Sequence, residues 1–168
     1  GYDEENFNDD RVISLRLYSG DKDHRILQEA ILGYGGVRLL DILRVENIHT
    51  YHMNEGHCAF LTLALLEKFK GDENKVRSLC HFTTHTPVEA GHDHFAIGRC
   101  RKLLHGLLPE NLDLPSWIQN SRLHMTELGL YFSRSANGVS KLHGKVAQDH
   151  FPDFQVDYIT NGVYHPYW

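Results

Sequence analysis

The chain has 168 residues, of which 41% are hydrophobic and 23% charged, and its net charge is −5 at pH 7. This composition is that of one globular domain and excludes a disordered or collagen-like chain. The acidic balance argues against a nucleic-acid partner held through its phosphates, and no apolar run reaches the ~18 residues of a membrane helix. We therefore expect neither nucleic acid nor a membrane as a partner.

The cysteines and the first residues bear on the setting of the chain. Three cysteines, about twenty residues apart, fit neither a disulfide framework nor a zinc ribbon, so we expect reduced thiols and a cytoplasmic protein. The acidic stretch that follows Gly1 has none of the features of a signal peptide. Because the first residue is not methionine, we expect a fragment or a processed chain.

Hydrophobic periodicity predicts helices that alternate with strands. In chain order, the pattern predicts a helix over 22–43, a strand over 48–53, a helix over 58–69, a turn over 71–74, a strand over 79–84, a helix over 95–108, a loop over 112–120, a helix over 124–136, and strands over 138–140 and 154–159. Gly33, Gly35 and Gly36 interrupt the first helix, which predicts close packing of that helix on a sheet. The alternation predicts an α/β layer with a mostly parallel sheet, whose ligands bind beyond the carboxyl ends of the strands.

Polar motifs follow the first two predicted strands. Residues 54–57 (NEGH) bring an amide, the carboxylate of Glu55 and the imidazole of His57 together, and the glycine between them allows a sharp turn. The same four residues would also serve as the start of a helix. Residues 83–87 (TTHTP) carry His85, which either faces a cleft or belongs to an ordinary polar loop.

Two Asn-Gly-Val sequences end later apolar segments, at 137–139 and 161–163. Asn-Gly usually marks a turn with positive φ. An asparagine held at a strand end is also a good bidentate partner for a hydroxyl group. A ligand with many hydroxyls needs several such groups from different loops, so both interpretations stay open.

The 13 histidines also raise the question of a metal site, with His81, His85, His92 and His94 as the nearest candidates. A zinc-binding helix would need HExxH, which is absent, so we expect no intrinsic metal. The dinucleotide fingerprint GxGxxG, the phosphate loop GxxxxGK(S/T) and the nucleophile elbow GxSxG are absent as well. Serine-triad chemistry therefore has no support.

Taken together, these motifs resemble those of the α-glucan phosphorylases, the glycogen, starch and maltodextrin phosphorylases, and most closely their shorter prokaryotic branch. The matching stretches occur in the family's order: LYSGD (17–21), GYGGVR (33–38), HMNEGH (52–57), FTTHTPV (82–88), AGHD (90–93), ANGVSKLHG (136–144) and ITNGV (159–163). Each stretch is weak evidence alone, whereas seven in order are strong. They cover nearly the whole chain.

The resemblance implies a Rossmann-like layer within a GT-B glycosyltransferase, in which the active site lies between two domains. Residues 1–168 would be part of the N-terminal, glucan-facing domain, an internal fragment from the N-terminal half of the enzyme. The C-terminal domain, which binds pyridoxal 5'-phosphate, would lie outside this chain, so no residue here is expected to hold the cofactor and Lys141 is not the cofactor lysine. We expect the fragment alone to be inactive.

The resemblance also implies roles for individual residues. In the family, inorganic phosphate attacks the terminal glucose of an α-1,4-glucan and yields glucose 1-phosphate with retention. His85 would contact the 6-hydroxyl of that glucose and place its backbone carbonyl near the developing positive charge, as the catalytic residue of this segment. The expected substrate-binding residues are Glu55 and His57 on the acceptor side, Asn137, Gly138 and Val139 through their backbone, and Asn161 at the 6-hydroxyl.

Two other functions stay open at the level of sequence. One is a sugar-nucleotide-dependent glycosyltransferase of the same fold, similar to glycogen synthase. The other is a non-catalytic module that binds glucan or a metal through its histidines. The resemblance implies α-1,4-glucan and inorganic phosphate as the partners of the full-length enzyme, and it is compatible with a homodimer.

Overall fold

A computed structural model describes residues 4–16, 21–108 and 121–163 of the chain. The helices are α1 (Asn8–Arg11), α2 (Lys22–Ala30), α3 (Gly36–Ile42), α4 (Phe60–Lys68), α5 (Glu73–Leu79), α6 (Ile97–Leu104), α7 (Met125–Tyr131) and α8 (Lys141–His150). The strands are β1 (Tyr51–Asn54), β2 (Cys80–Thr84), β3 (His94–Ala96), β4 (Arg122–His124), β5 (Ser135–Gly138) and β6 (Val156–Tyr158). The predicted loop at 112–120 and most of the motif at 17–21 lie outside the described residues. Within the described ranges, no helix has the length and apolar character needed to cross a membrane.

Four strands form a parallel sheet in the order β1-β2-β5-β6. Its central register aligns Met53, Phe82, Ala136 and Val156. Strands β3 and β4 form a separate antiparallel pair. The predicted α/β layer with a mostly parallel sheet is therefore confirmed.

The helices of the parallel sheet lie on one of its two faces. Right-handed crossovers that always step to the next strand in one direction place every connecting helix on the same side. Accordingly, Gly129 of α7 lies against the ring of Phe82, and Gly144 of α8 lies against Tyr158. The opposite face carries polar side chains from alternate positions: His52, His81, Thr83, Ser135 and Asn137.

The first predicted helix is continuous, with a wider π-helical turn at Ile31–Gly35 between α2 and α3. The predicted packing of its glycines on a sheet is wrong, because Gly33 lies on helix α4 instead. A Cβ at Gly33 would come within 2.5 Å of the backbone nitrogen of Leu61, so only glycine allows this approach. At Gly36 a Cβ would meet nothing within 4 Å, so only one of these two glycines is needed for packing.

Two further predictions fail around short elements. The turn predicted at 71–74 already contains the start of α5, where Asp72 caps the helix by accepting a hydrogen bond from the amide of Lys75 at 2.9 Å. The helix predicted from residue 95 begins only at Ile97, because residues 94–96 pair with β4. A three-residue strand is too short to show a period in the sequence.

The helix predicted over 124–136 ends at Tyr131, and the strand predicted at 138–140 lies earlier, at Ser135–Gly138. The apolar pattern continues past Tyr131 because Phe132 and Ala136 are both buried, one after a helix and one within a strand. Helix α8 was not predicted. Ser140 caps it by accepting a hydrogen bond from the amide of His143 at 3.1 Å.

Candidate functional site

The carboxyl ends of the four parallel strands lie along one edge of the sheet. The backbone joins the loops that follow them: the amide of Glu55 donates to Thr83 O at 2.8 Å, and the amide of Asn161 donates to Val139 O at 3.0 Å. All predicted site residues therefore lie at this edge or in the loops directly beyond it: Glu55, His57, His85, Asn137, Gly138, Val139 and Asn161. Neither Gly138 nor Gly162 has positive φ, so the expected positive-φ turns at the two Asn-Gly pairs are not found.

Glu55 ties the ends of β1 and β2 together. Its Oε2 accepts hydrogen bonds from the amides of His85 (2.7 Å) and Thr86 (3.0 Å), and from the hydroxyl of Thr86 (2.9 Å). Its Oε1 accepts from the amide of Gly56 at 3.1 Å. The backbone of Glu55 has φ 80° and ψ 167°, a region that is essentially restricted to glycine. The side chain thus holds a strained backbone through several acceptor bonds.

His85 lies directly after β2 and is exposed at the strand edge. Its Nε2 lies 2.6 Å from Oδ1 of Asn54, the last residue of β1. The hydrogen bond from its own amide to Glu55 fixes the backbone of His85 at the same time. The ring is therefore oriented by one neighbour and the main chain by another.

Asn54, Glu55 and His85 line a cleft of about 450 Å³. The described residues around it are Arg25, Asn54, Glu55, Gly56, His57, His85, Thr86, Gly91, His92, Asp93 and Thr126. Burial lowers the pKa of His57 and that of His92, so both rings are neutral at pH 7. A neutral imidazole can donate to one hydroxyl and accept from another, which suits a polyol ligand.

The cleft brings together three of the seven predicted site residues: Glu55, His57 and His85. Asn137, Gly138, Val139 and Asn161 lie farther along the same edge and do not line it.

The side chain of Asn137 is turned to the polar face of the sheet. Its Oδ1 lies 2.7 Å from His81 Nε2 and 3.0 Å from Thr83 Oγ1, and its Nδ2 donates to Gly138 O at 3.0 Å. Because this side chain is buried and already bonded, it cannot bind a ligand without giving up these hydrogen bonds. Asn161, in contrast, is exposed.

Sequence reasoning missed a cluster of ionisable side chains in and behind the wall of the cleft. Nη2 of Arg25 donates to Glu29 Oε1 at 2.9 Å and to Asp93 Oδ2 at 2.6 Å. Glu29 is only 1% exposed, and burial, together with the nearby Asp93 carboxylate, raises its pKa to about 9. The four-residue spacing of Arg25 and Glu29 on a helix was the available signal, whereas Asp93 is 68 residues from Arg25.

This pKa predicts how stability depends on pH. Glu29 binds its proton more tightly in the folded chain than in the unfolded chain. This proton binding therefore stabilises the fold fully below pH 4.5, and the stabilisation is lost as the pH rises towards about 9. We expect the free energy of unfolding to fall relative to that of Glu29→Gln by up to about 1.4 kcal/mol per pH unit in this window. Urea unfolding of both chains at several pH values measures this difference in the free energy of unfolding. As a control, Glu46→Gln removes an exposed carboxylate and should show the same pH dependence of the free energy of unfolding as the unsubstituted chain. If Glu29→Gln also shows that pH dependence, the raised pKa of Glu29 is contradicted.

Within the residues that the structure describes, no group of three or more His, Cys, Asp or Glu side chains is arranged to hold a metal ion. All three cysteines are free thiols. Burial raises the pKa of Cys80 and of Cys100 to about 12, so these two thiols stay protonated at neutral pH. The chemistry that the cleft offers is hydrogen bonding by imidazole, carboxylate, amide and hydroxyl groups.

Comparison with known proteins identifies relatives of the chain. It is 36% identical over 199 residues to glycogen phosphorylase of Mycobacterium tuberculosis, which covers 98% of the chain and 23% of that protein. It is 37% identical to maltodextrin phosphorylase of Thermococcus litoralis (98% and 22%) and 34% identical to glycogen phosphorylase of Aquifex aeolicus (98% and 27%). No protein-family model matches. The chain spans about a quarter of the length of these relatives, and over nearly all of its own length it matches a segment of the α-glucan phosphorylases, which confirms the resemblance seen in its motifs.

Proposed function

We propose that the protein to which this segment belongs is an α-1,4-glucan phosphorylase. It would release the terminal glucose of glycogen or maltodextrin as glucose 1-phosphate, with retention at the anomeric carbon. The observation that carries this proposal is the identity of 34–37% to enzymes named glycogen or maltodextrin phosphorylase, maintained over 98% of the chain. The cleft supports it, because imidazole, carboxylate and hydroxyl groups there suit a ligand rich in hydroxyls.

In this proposal His85 and Asn161 bind the 6-hydroxyl of the terminal glucose. The backbone of residues 137–139 lines the same glucose, while Glu55 and His57 face the glucan on the acceptor side. Since Oε2 of Glu55 already accepts several hydrogen bonds, a sugar hydroxyl would be met by its Oε1. A site built on such hydrogen bonds rejects analogues that lack the hydroxyl, because its own polar groups would then be unpaired.

Residues 1–168 would form part of the N-terminal domain of a GT-B enzyme. Pyridoxal 5'-phosphate does not fit the described residues of the cleft, since none of them is a lysine that could carry it. Lys141 is exposed at the start of α8 and does not line the cleft. The cofactor would therefore be held by the C-terminal domain, and no step through it is assigned to this chain.

The partners in this proposal are α-1,4-glucan and inorganic phosphate, in a cytoplasmic enzyme that forms a homodimer. A sugar-nucleotide-dependent glycosyltransferase remains the alternative from the same fold. The two differ in the compound that exchanges glucose with the glucan: inorganic phosphate accepts the glucosyl group in a phosphorylase, whereas a nucleoside diphosphate sugar donates it in a synthase.

We expect the full-length protein, incubated with maltoheptaose and inorganic phosphate, to form glucose 1-phosphate, and the 168-residue chain alone to form none. The isolated chain would lack the phosphate site and the cofactor. A coupled assay for glucose 1-phosphate measures both. As a control, each protein receives a nucleoside diphosphate glucose in place of phosphate; elongation of the glucan only under that condition would contradict the proposal in favour of a synthase.

A further inference from the structure

We propose that Asn54 is a positioning residue that selects the tautomer of His85, so that Nδ1 of His85 accepts a hydrogen bond from a ligand hydroxyl. This inference deepens the proposed function, on which it rests. It assigns Asn54, at the end of β1, a role that neither the motifs nor the relatives' names provide. It also states a chemical requirement on the ligand, which must donate at this position.

The requirement follows from the contact between the two side chains. An amide oxygen can only accept a hydrogen bond, and Oδ1 of Asn54 lies 2.6 Å from Nε2 of His85. Nε2 must therefore carry the proton. In a neutral imidazole the other nitrogen, Nδ1, then has a free lone pair and can only accept.

The surroundings hold the ring in this arrangement. The amide of His85 donates to Glu55 Oε2 at 2.7 Å, which fixes the backbone from which the ring projects. Among the described residues, Nδ1 of His85 makes no hydrogen bond, and the side chain is exposed at the cleft. The ring is therefore preorganised, and its accepting nitrogen remains available for a ligand.

The tautomer has a consequence that donor analogues can measure. If Nδ1 accepts, a terminal glucose with fluorine in place of the 6-hydroxyl is as poor a substrate as one with hydrogen there, since neither can donate. If Nδ1 instead carried the proton, fluorine could accept weakly and the fluoro analogue would be the better substrate. With the full-length enzyme, we expect kcat/KM to fall by about 10²-fold for both analogues. Because the amide of Asn161 could also donate to the fluorine, the two analogues are compared in the Asn161→Ala variant as well; a fluoro analogue clearly better than the deoxy analogue in that variant would overturn the inference.

Variants of Asn54 in the full-length enzyme give a second test. Asn54→Leu keeps the size of the side chain but removes the acceptor, so the His85 ring loses its fixed orientation and both tautomers become populated. We expect its preference for the natural glucan over the deoxy analogue to fall about tenfold, while its rate with the deoxy analogue stays within about threefold of the unsubstituted enzyme. Asn74→Leu, at an exposed position of α5, is the matched control and should keep the full preference.

Asn54→Asp separates tautomer selection from a merely structural role. An aspartate still accepts from Nε2, so the ring stays in place, but its charge favours the doubly protonated imidazolium, in which Nδ1 donates. We expect the acidic limb of the pH profile of kcat/KM to move to higher pH and the activity to recover in alkaline buffer. A profile that coincides with that of the unsubstituted enzyme would overturn the inference.

Failure of this inference can be told from failure of the proposed function. If the unsubstituted full-length protein forms no glucose 1-phosphate, or if His85→Ala leaves its kinetics unchanged, the proposed function of this site fails. If phosphorolysis depends on His85 but Asn54→Leu keeps the full preference for the 6-hydroxyl, only the role of Asn54 fails.

Discussion

His85→Ala in the full-length enzyme is expected to lower kcat/KM for phosphorolysis by about 10²-fold or more, equivalent to ~2.7 kcal/mol of transition-state stabilisation. The alanine removes the hydrogen bond to the terminal glucose. It also leaves Oδ1 of Asn54 without its donor at the end of β1. Initial rates of glucose 1-phosphate formation over a range of maltoheptaose concentrations give kcat and KM separately.

Asn161→Ala should produce a loss of similar size, because it would remove a second partner of the same hydroxyl. His49→Ala serves as the control, since this histidine is exposed in the segment before β1 and does not line the cleft. Unchanged kinetics in both His85→Ala and Asn161→Ala would refute the assignment of the glucose pocket.

Glu55→Ala is expected to destabilise the chain by about 3 kcal/mol, because the amides of Gly56, His85 and Thr86 all lose their acceptor at once. The strained backbone at residue 55 would remain, with nothing to hold it. Urea unfolding of the chain and its variants, followed by circular dichroism, measures the difference.

The unusual backbone of Glu55 makes a more specific test possible. Glycine adopts φ 80° and ψ 167° readily, so Glu55→Gly loses the same acceptor bonds but relieves the strain. We expect Glu55→Gly to be more stable than Glu55→Ala by about 1–2 kcal/mol and less stable than the unsubstituted chain. An alanine variant as stable as the glycine variant would show that the backbone is not strained.

The sequence was sufficient to predict the layer and the edge at which the motifs meet. The motifs of Glu55 and His85 directly follow predicted strands, which places them beyond the carboxyl ends of a parallel sheet, where ligands bind. Their hydrogen bonds were not predictable, because the same residues fit a helix start or an ordinary loop equally well. Whether Glu55 accepts from the protein or from a ligand depends on distances that no pattern contains.

The sequence did not predict the elements that are too short to show a hydrophobic period, or the contacts between residues far apart in the chain. Strands β3 and β4 have three residues each, and the step from α7 to β5 is hidden because the buried residues Phe132 and Ala136 keep the spacing of a helix. The Arg25 to Asp93 ion pair joins positions 68 residues apart, beyond the reach of any local rule. Gly33 was recognised as a packing glycine, but the sequence could not say that its neighbour would be α4 instead of a strand.

The two faces of the parallel sheet place opposite demands on adjacent residues. On the helix-covered face Met53 and Phe82 are fully buried, so a substitution there must match their size. On the other face Thr83 donates to Asn137, and these two side chains also contact His52 and His81, respectively, so a substitution must instead preserve donors and acceptors. Along one strand, therefore, the mutational constraint changes from volume to polarity at every step, so the same substitution has different consequences at adjacent positions.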